Sequence, residues 1–178
     1  MTILPHELSR VVELATLRER KTFQANVVST PEENKALAER YAILSVEAVS
    51  ANVKIRSLGQ DMFRVQIRLE AQVTQACGLS LEPVPESITD EYEEVLTTSQ
   101  DMLVPFDEAD PGASGPTELI SHGEIDYGEI VAQLLALALE PFPRAPGHEE
   151  PFMHIEHSHN PFEKLTALQA NSNKKKKD

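Results

Sequence analysis

Four histidines fall close together late in the chain, His148, His154, His157 and His159, within HEEPFMHIEHSHN. Imidazoles beside carboxylates suit zinc, and His154-x-x-His157 would present two ligands on one side of a turn. No cysteine lies near them and no rigid element frames them, so a polar segment between prolines is the better reading. Cys77, the single cysteine, sits in QACGLSLEP. A nucleophile there would need a base and an orienting group, and no spacing supplies them, so it reads as a small buried residue at a strand end. The acidic pairs Asp90-Glu91 and Glu93-Glu94 would suit a divalent metal only if the carboxylates converged. Neighbours on a strand point to opposite faces, which favours a solvated acidic surface. No phosphate-binding glycine loop, nucleophile elbow or HExxH motif occurs. No catalytic residue, metal or cofactor is assigned.

Cations carry the stronger signal. Phe63, Val65, Ile67, Leu69, Ala71 and Val73 alternate with polar residues, as do Val49, Ala51, Val53 and Ile55. Period two marks half-buried strands, and the short SLGQDM link with Gly59 predicts an antiparallel hairpin. With Arg56 opposite Arg64, the cations Lys54, Arg56, Arg64 and Arg68 share one face, a patch of roughly 10 by 10 Å with no acid directly among them. Arg18, Arg20 and Lys21 form a second small cluster. There is no Trp and no aromatic ladder, so an RNA contact here would be to backbone and shape.

The elements that must hold this face can be read from capping chemistry. Thr30-Pro31-Glu32-Glu33 is a capping box with proline at the first helical position, predicting a helix to about Tyr41 with Leu37, Tyr41 and Leu44 buried. Asp126 caps a second helix, with Glu129 at its third position and Ile125 and Ile130 as a hydrophobic staple. IVAQLLALALE is apolar on nearly every side, which predicts burial in a core or an interface, and Pro141 and Pro143 end it. Weaker strand signals cover 10–14, 22–28, 79–84 and 88–96. The stretch 107–116, DEADPGASGP, reads as a mobile loop.

The fold class expected is α+β: a single domain, residues 1–169, with an antiparallel β-sheet, open or barrel-like, packed by a few helices. Residues 170–178 read as a flexible Lys-rich tail. Across 178 residues, 16 Lys+Arg meet 29 Asp+Glu, for a formal charge of -13. Residues 82–150 hold seventeen of the acids and one base, Arg144, while residues 1–81 are nearly neutral. Coating of DNA by the whole surface is excluded, but a local contact with a polyanion is not. One cysteine, an opening without an apolar run and no stretch long enough to span a bilayer predict a cytoplasmic protein without a membrane partner.

Three stretches resemble the YceD family of large ribosomal RNA subunit accumulation proteins. They are RLEAQVTQACGLSLEPV (68–84), HGEIDYGEIVAQLLALALEPFP (122–143) and NPFEKLTAL (160–168), with HELSRVVEL similar to the family's opening strand. Many members carry Cys-x-x-Cys where this chain has Cys77 and Ser80, so a metal role inferred for paired members does not transfer. The resemblance implies a non-enzymatic role in accumulation or processing of large-subunit ribosomal RNA, with no catalytic residues to carry over. Expected partners are that RNA or a basic ribosomal or assembly protein. Lys54, Arg56, Arg64 and Arg68 are the candidate RNA contacts, and Phe162, Leu165 and Leu168, on one helical stripe, the candidate docking residues. The alternatives are an acidic adaptor without RNA contact and a metal-dependent RNA-processing enzyme using Asp90 or Glu94.

Overall fold

Strand alternation organises the molecule. In the computed structural model, which describes residues 7–103, 118–120 and 122–147, the two period-two runs are β3 (Ser45–Ser57) and β4 (Met62–Ala76), joined by residues 58–61. They pair antiparallel with Arg56 opposite Arg64, as expected, and a bulge between Val46 and Ala48 shifts the far end. Before them come β1 (Val11–Glu13), α1 (Leu14–Arg20), β2 (Thr22–Val28) and α2 (Pro31–Tyr41). After them come β5 (Pro83–Thr97), a 3-10 turn at Gln100–Met102, β6 (Glu118–Leu119), β7 (Glu124–Asp126) and α3 (Tyr127–Ala138). The fold is α+β. The large sheet runs β2-β3-β4-β5-β6, antiparallel except for the β5–β6 pair, and β1 pairs with β7 in a small second sheet. The loop expected at 107–116, the histidine-rich segment, the NPF stretch and the tail lie outside the described residues.

One face of the large sheet is apolar because every second residue is. Val53, Ile55, Phe63, Val65, Ile67 and Leu69 are buried on it beneath the helices, with Leu17, Leu37, Val131 and Leu135 packed in the same core. α2 packs on β3, α3 on β4 and β5, and α1 on β2 and β3. The strand signal at 88–96 lies within β5, but the one at 79–84 does not hold as a separate strand: residues 79–82 lie in the turn before β5, and only Pro83 and Val84 belong to it. The signal at 10–14 divides instead. Three residues form β1, and Leu14 opens α1, a seven-residue helix that buries Leu14 and Leu17.

The capping chemistry appears as expected. Thr30 Oγ1 accepts from the Glu33 amide at 3.2 Å, and the Glu33 carboxylate accepts from the Thr30 amide at 2.8 Å. α2 stops at Tyr41 because Ala42 takes a left-handed conformation and the Ile43 amide donates back to the Ala38 carbonyl. Leu44 therefore leaves the stripe expected for it and is 54% exposed. At α3, the Asp126 carboxylate accepts from the amides of Gly128 and Glu129, both at 3.1 Å. The helix ends at Ala138, short of the prolines, and its outer side is open: Leu137 is 79% exposed. The core therefore covers one side of α3, not nearly every side.

Asp126 also accepts from the Ser9 hydroxyl at 2.6 Å and the Arg10 amide at 2.8 Å, so one carboxylate fastens the N-terminal segment to the start of α3. Ion pairs close the same region: Arg10 clamps Glu33, and Arg40 holds both Glu129 (2.6 Å) and Glu7 (2.9 Å). The Tyr41 hydroxyl donates to the Ala132 carbonyl at 2.7 Å. These contacts bring backbone against backbone at Gly128, where a Cβ would lie 2.6 Å from the Arg10 nitrogen and 2.7 Å from the Leu8 oxygen. Neither can retreat as a side chain would. Gly128→Ala is expected to destabilise the protein by about 2 kcal/mol, read as a lower urea midpoint. An unchanged midpoint would show that this segment is held loosely.

Candidate nucleic-acid interface

The outer face of the large sheet carries what alternation leaves behind. Ladder pairing sets its residues in rows across four strands. One row reads Asn26, Asn52, Arg68 and Glu91, the next Gln24, Lys54, Gln66 and Glu93, and the next Thr22, Arg56, Arg64 and Val95. The first two rows line a shallow groove of about 910 Å³. All four cations expected to share a face do share it. β2 contributes amides, β3 and β4 each two cations and an amide, and β5 two acids, so the face runs from neutral through positive to negative across the sheet.

That last strand corrects the expectation that no acid lies among the cations. Glu91 receives both Nε (2.9 Å) and Nη2 (2.7 Å) of Arg68. Glu93 lies 3.2 Å from Arg64 Nε, a nitrogen shut off from solvent and without hydrogen-bond alignment, and accepts from Gln66 at 2.6 Å. Both pairs are substantially exposed, so they contribute little to stability, but they balance the charge locally. Among the described residues Lys54 and Arg56 have no ion-pair partner. The amides and the two glutamates were missed because a hairpin is a local feature and its outer neighbours are not. The alternation in TFQANVV, with Gln24 and Asn26 two apart, was the available signal.

The remaining candidates fall elsewhere. Asp90 and Glu94 lie at alternate positions to Glu91 and Glu93, so the acidic pairs do divide between two faces. Glu94 accepts from the Tyr92 hydroxyl at 2.9 Å. Burial raises its pKa, the Tyr92 hydrogen bond opposes the shift and Glu118 adds to it. Among the described residues no three His, Cys, Asp or Glu side chains converge as metal ligands would.

Cys77 is fully buried just past β4, as expected. The Ser80 hydroxyl, then the amides of Ser80, Ala145 and Leu79, pull its thiol below the usual range, and burial opposes them. That hydroxyl has one proton and also lies 3.0 Å from Glu82 Oε2. Phe162, Leu165 and Leu168 lie outside the described residues, as do His148, His154, His157 and His159. Among the described residues no helix is long and apolar enough to cross a membrane. Compared with known proteins, the chain matches no family model, no curated protein and no solved structure.

Two measurements probe these environments. A carboxyl whose folded pKa is raised favours folding while protonated, and that contribution is lost as pH rises through the folded value. Glu94→Gln should therefore melt above the wild type at pH 7, with the gain disappearing toward pH 4. A gain independent of pH would remove the desolvated carboxylate as its cause. Cys77 should resist a thiol-reactive chromophore in the native protein and titrate as one thiol in denaturant; rapid native labelling would contradict its burial.

Proposed function

We propose that this chain is a non-enzymatic factor in large ribosomal subunit biogenesis that holds RNA backbone on the outer face of its sheet. The observation that carries the reading is the register of β3 and β4, with Arg56 opposite Arg64 and Lys54 one row away. Two cations without ion-pair partners among the described residues supply attraction for phosphates. The flanking amides of Gln24, Asn26, Asn52 and Gln66 offer donors and acceptors to sugar and base edges without demanding one sequence. Arg64 and Arg68, balanced by Glu93 and Glu91, act as hydrogen-bond donors more than as net charge. The resemblance of residues 68–84, 122–143 and 160–168 to the YceD family supports large-subunit ribosomal RNA as the partner.

A second reading, an adaptor for a basic ribosomal or assembly protein, draws on β5, where Glu86, Asp90, Glu91, Glu93 and Glu94 fall within nine positions. Glu91 and Glu93 stand on the outer face and Glu86, Asp90 and Glu94 on the other, and a strand so charged raises association rate more than affinity.

The readings separate by experiment. Lys54→Gln with Arg56→Gln should weaken binding to precursor ribosomal RNA at least tenfold, and should flatten the log K against log salt slope by about 1.5. Lys35→Gln, on the far side in α2, should leave the curve unchanged. Identical curves for the double variant and the wild type would remove the face from RNA binding. Partners that survive nuclease treatment in a pull-down would then favour the adaptor.

A further inference from the structure

The large sheet has two edges, and they differ. The β5 edge is fenced: it begins with Pro83 and Pro85, carries five acids from Glu86 to Glu94, and is covered by β6 at Leu96 and Thr97. Prolines, charge and covering strands are how natural sheets keep other strands from adding to them. Among the described residues the β2 edge has none of these. Thr22–Val28 contains no charge, no proline and no bulge, and it is rich in residues that favour strands.

Its unpaired backbone groups can be assigned. The Ser57 amide donates to the Lys21 carbonyl and the Ser29 amide donates to the Val49 carbonyl, both at 3.0 Å. Hydrogen-bonded positions alternate along an antiparallel strand, so Phe23, Ala25 and Val27 bond to β3. Thr22, Gln24, Asn26 and Val28 direct amide and carbonyl outward. All four are exposed, Val28 to 66%.

We propose that this edge pairs antiparallel with the β2 strand of a second copy of the chain, with Ala25 on the twofold axis. The register is self-complementary on both faces. Gln24 meets the partner's Asn26 and Thr22 meets the partner's Val28 on the outer side; Phe23 meets the partner's Val27 on the inner side. Each outward residue exchanges both backbone hydrogen bonds with its mate.

The flanks agree in sign. Antiparallel pairing brings Arg20 and Lys21, at the end of α1, up to the partner's Thr30 and the acidic first turn of its α2, where Glu32 is exposed. Two chains of formal charge -13 repel, and this neutral strand with basic and acidic ends is where they can approach. The interface is isologous, so it closes at two copies. It also joins the two outer faces, with the amides of both β2 strands at the centre and Lys54 and Arg56 of each copy on either side. The two β3 strands then stand about 14 Å apart, three strand spacings.

Sedimentation equilibrium on the full chain tests this independently of RNA. The wild type should approach twice its 19.8 kDa mass as concentration rises. Gln24→Lys with Asn26→Lys sets like charges opposite each other in both central pairs and should weaken association more than tenfold. Gln24→Glu with Asn26→Glu should do the same, and mixing the two variants should restore the double mass. In air-equilibrated buffer, where dissolved oxygen takes the two electrons and two protons, Ala25→Cys should cross-link, because facing Cα atoms of a non-hydrogen-bonded pair lie about 4.5 Å apart, within disulfide reach. Circular dichroism confirms that each variant is folded. A single-chain mass at every concentration would leave the edge to a strand of another protein and overturn the proposal. So would charge variants that keep the wild-type mass, or a cysteine that fails to cross-link.

Discussion

Placement of every polar group on the outer face depends on one pairing, Arg56 opposite Arg64. Side chains alternate along a strand, so a slip of one residue between β3 and β4 would turn Val65, Ile67 and Leu69 outward and bury the arginines. Each of those apolar side chains is worth about 2 kcal/mol when removed from water. Two guanidinium groups facing each other in solvent cost roughly 1 kcal/mol, and Glu93 beside Arg64 lowers even that. Burial therefore decides the register, and the basic face is a by-product of where the apolar residues must go. The same register carries outward to β2 and β5, which adds the amides on one side and the acids on the other.

The parts of this fold that were legible in the sequence are those written locally. Alternation over a dozen residues marked β3 and β4, and hydroxyl, proline and carboxylate at fixed offsets marked the starts of α2 and α3. What was not legible depends on distant partners. α1 has only Leu14 and Leu17 as its buried stripe, too short a pattern to separate from the strand before it. Leu44 fitted the stripe of α2 by spacing, but the left-handed turn at Ala42 ended the helix first, and nothing in Tyr41-Ala42-Ile43 announces that turn. All four candidate RNA contacts were placed on one face correctly. The pairing of Arg68 with Glu91 and of Arg64 with Glu93 was not, because a third strand joins the hairpin only after the chain has turned past Cys77.

Asp126 is the counterpart of this sheet register among the helices. A helix cap needs one acceptor for two amides, and here the second oxygen and its neighbour recruit Ser9 and the Arg10 amide as well. The β1–β7 pair, the start of α3 and the N-terminal segment are thus ordered by one side chain, and Gly128 supplies the space that lets them meet. Arg40, between Glu129 and Glu7, extends the same closure to α2. None of these groups faces the outer sheet, so the structural charges and the candidate binding charges occupy separate sides.

The passage from the cations of β3 and β4 to the acids of β5 makes the outer face a transverse dipole. A net negative molecule is pushed away from a polyanion at long range, but a dipole in the same field also feels a torque. Near the phosphates proposed as its partner, the couple would turn the acids of β5 away and the cations of β3 toward the source before any contact forms. Orientation would then precede attraction, and a strand of phosphates would settle along β3 like a needle finding its heading.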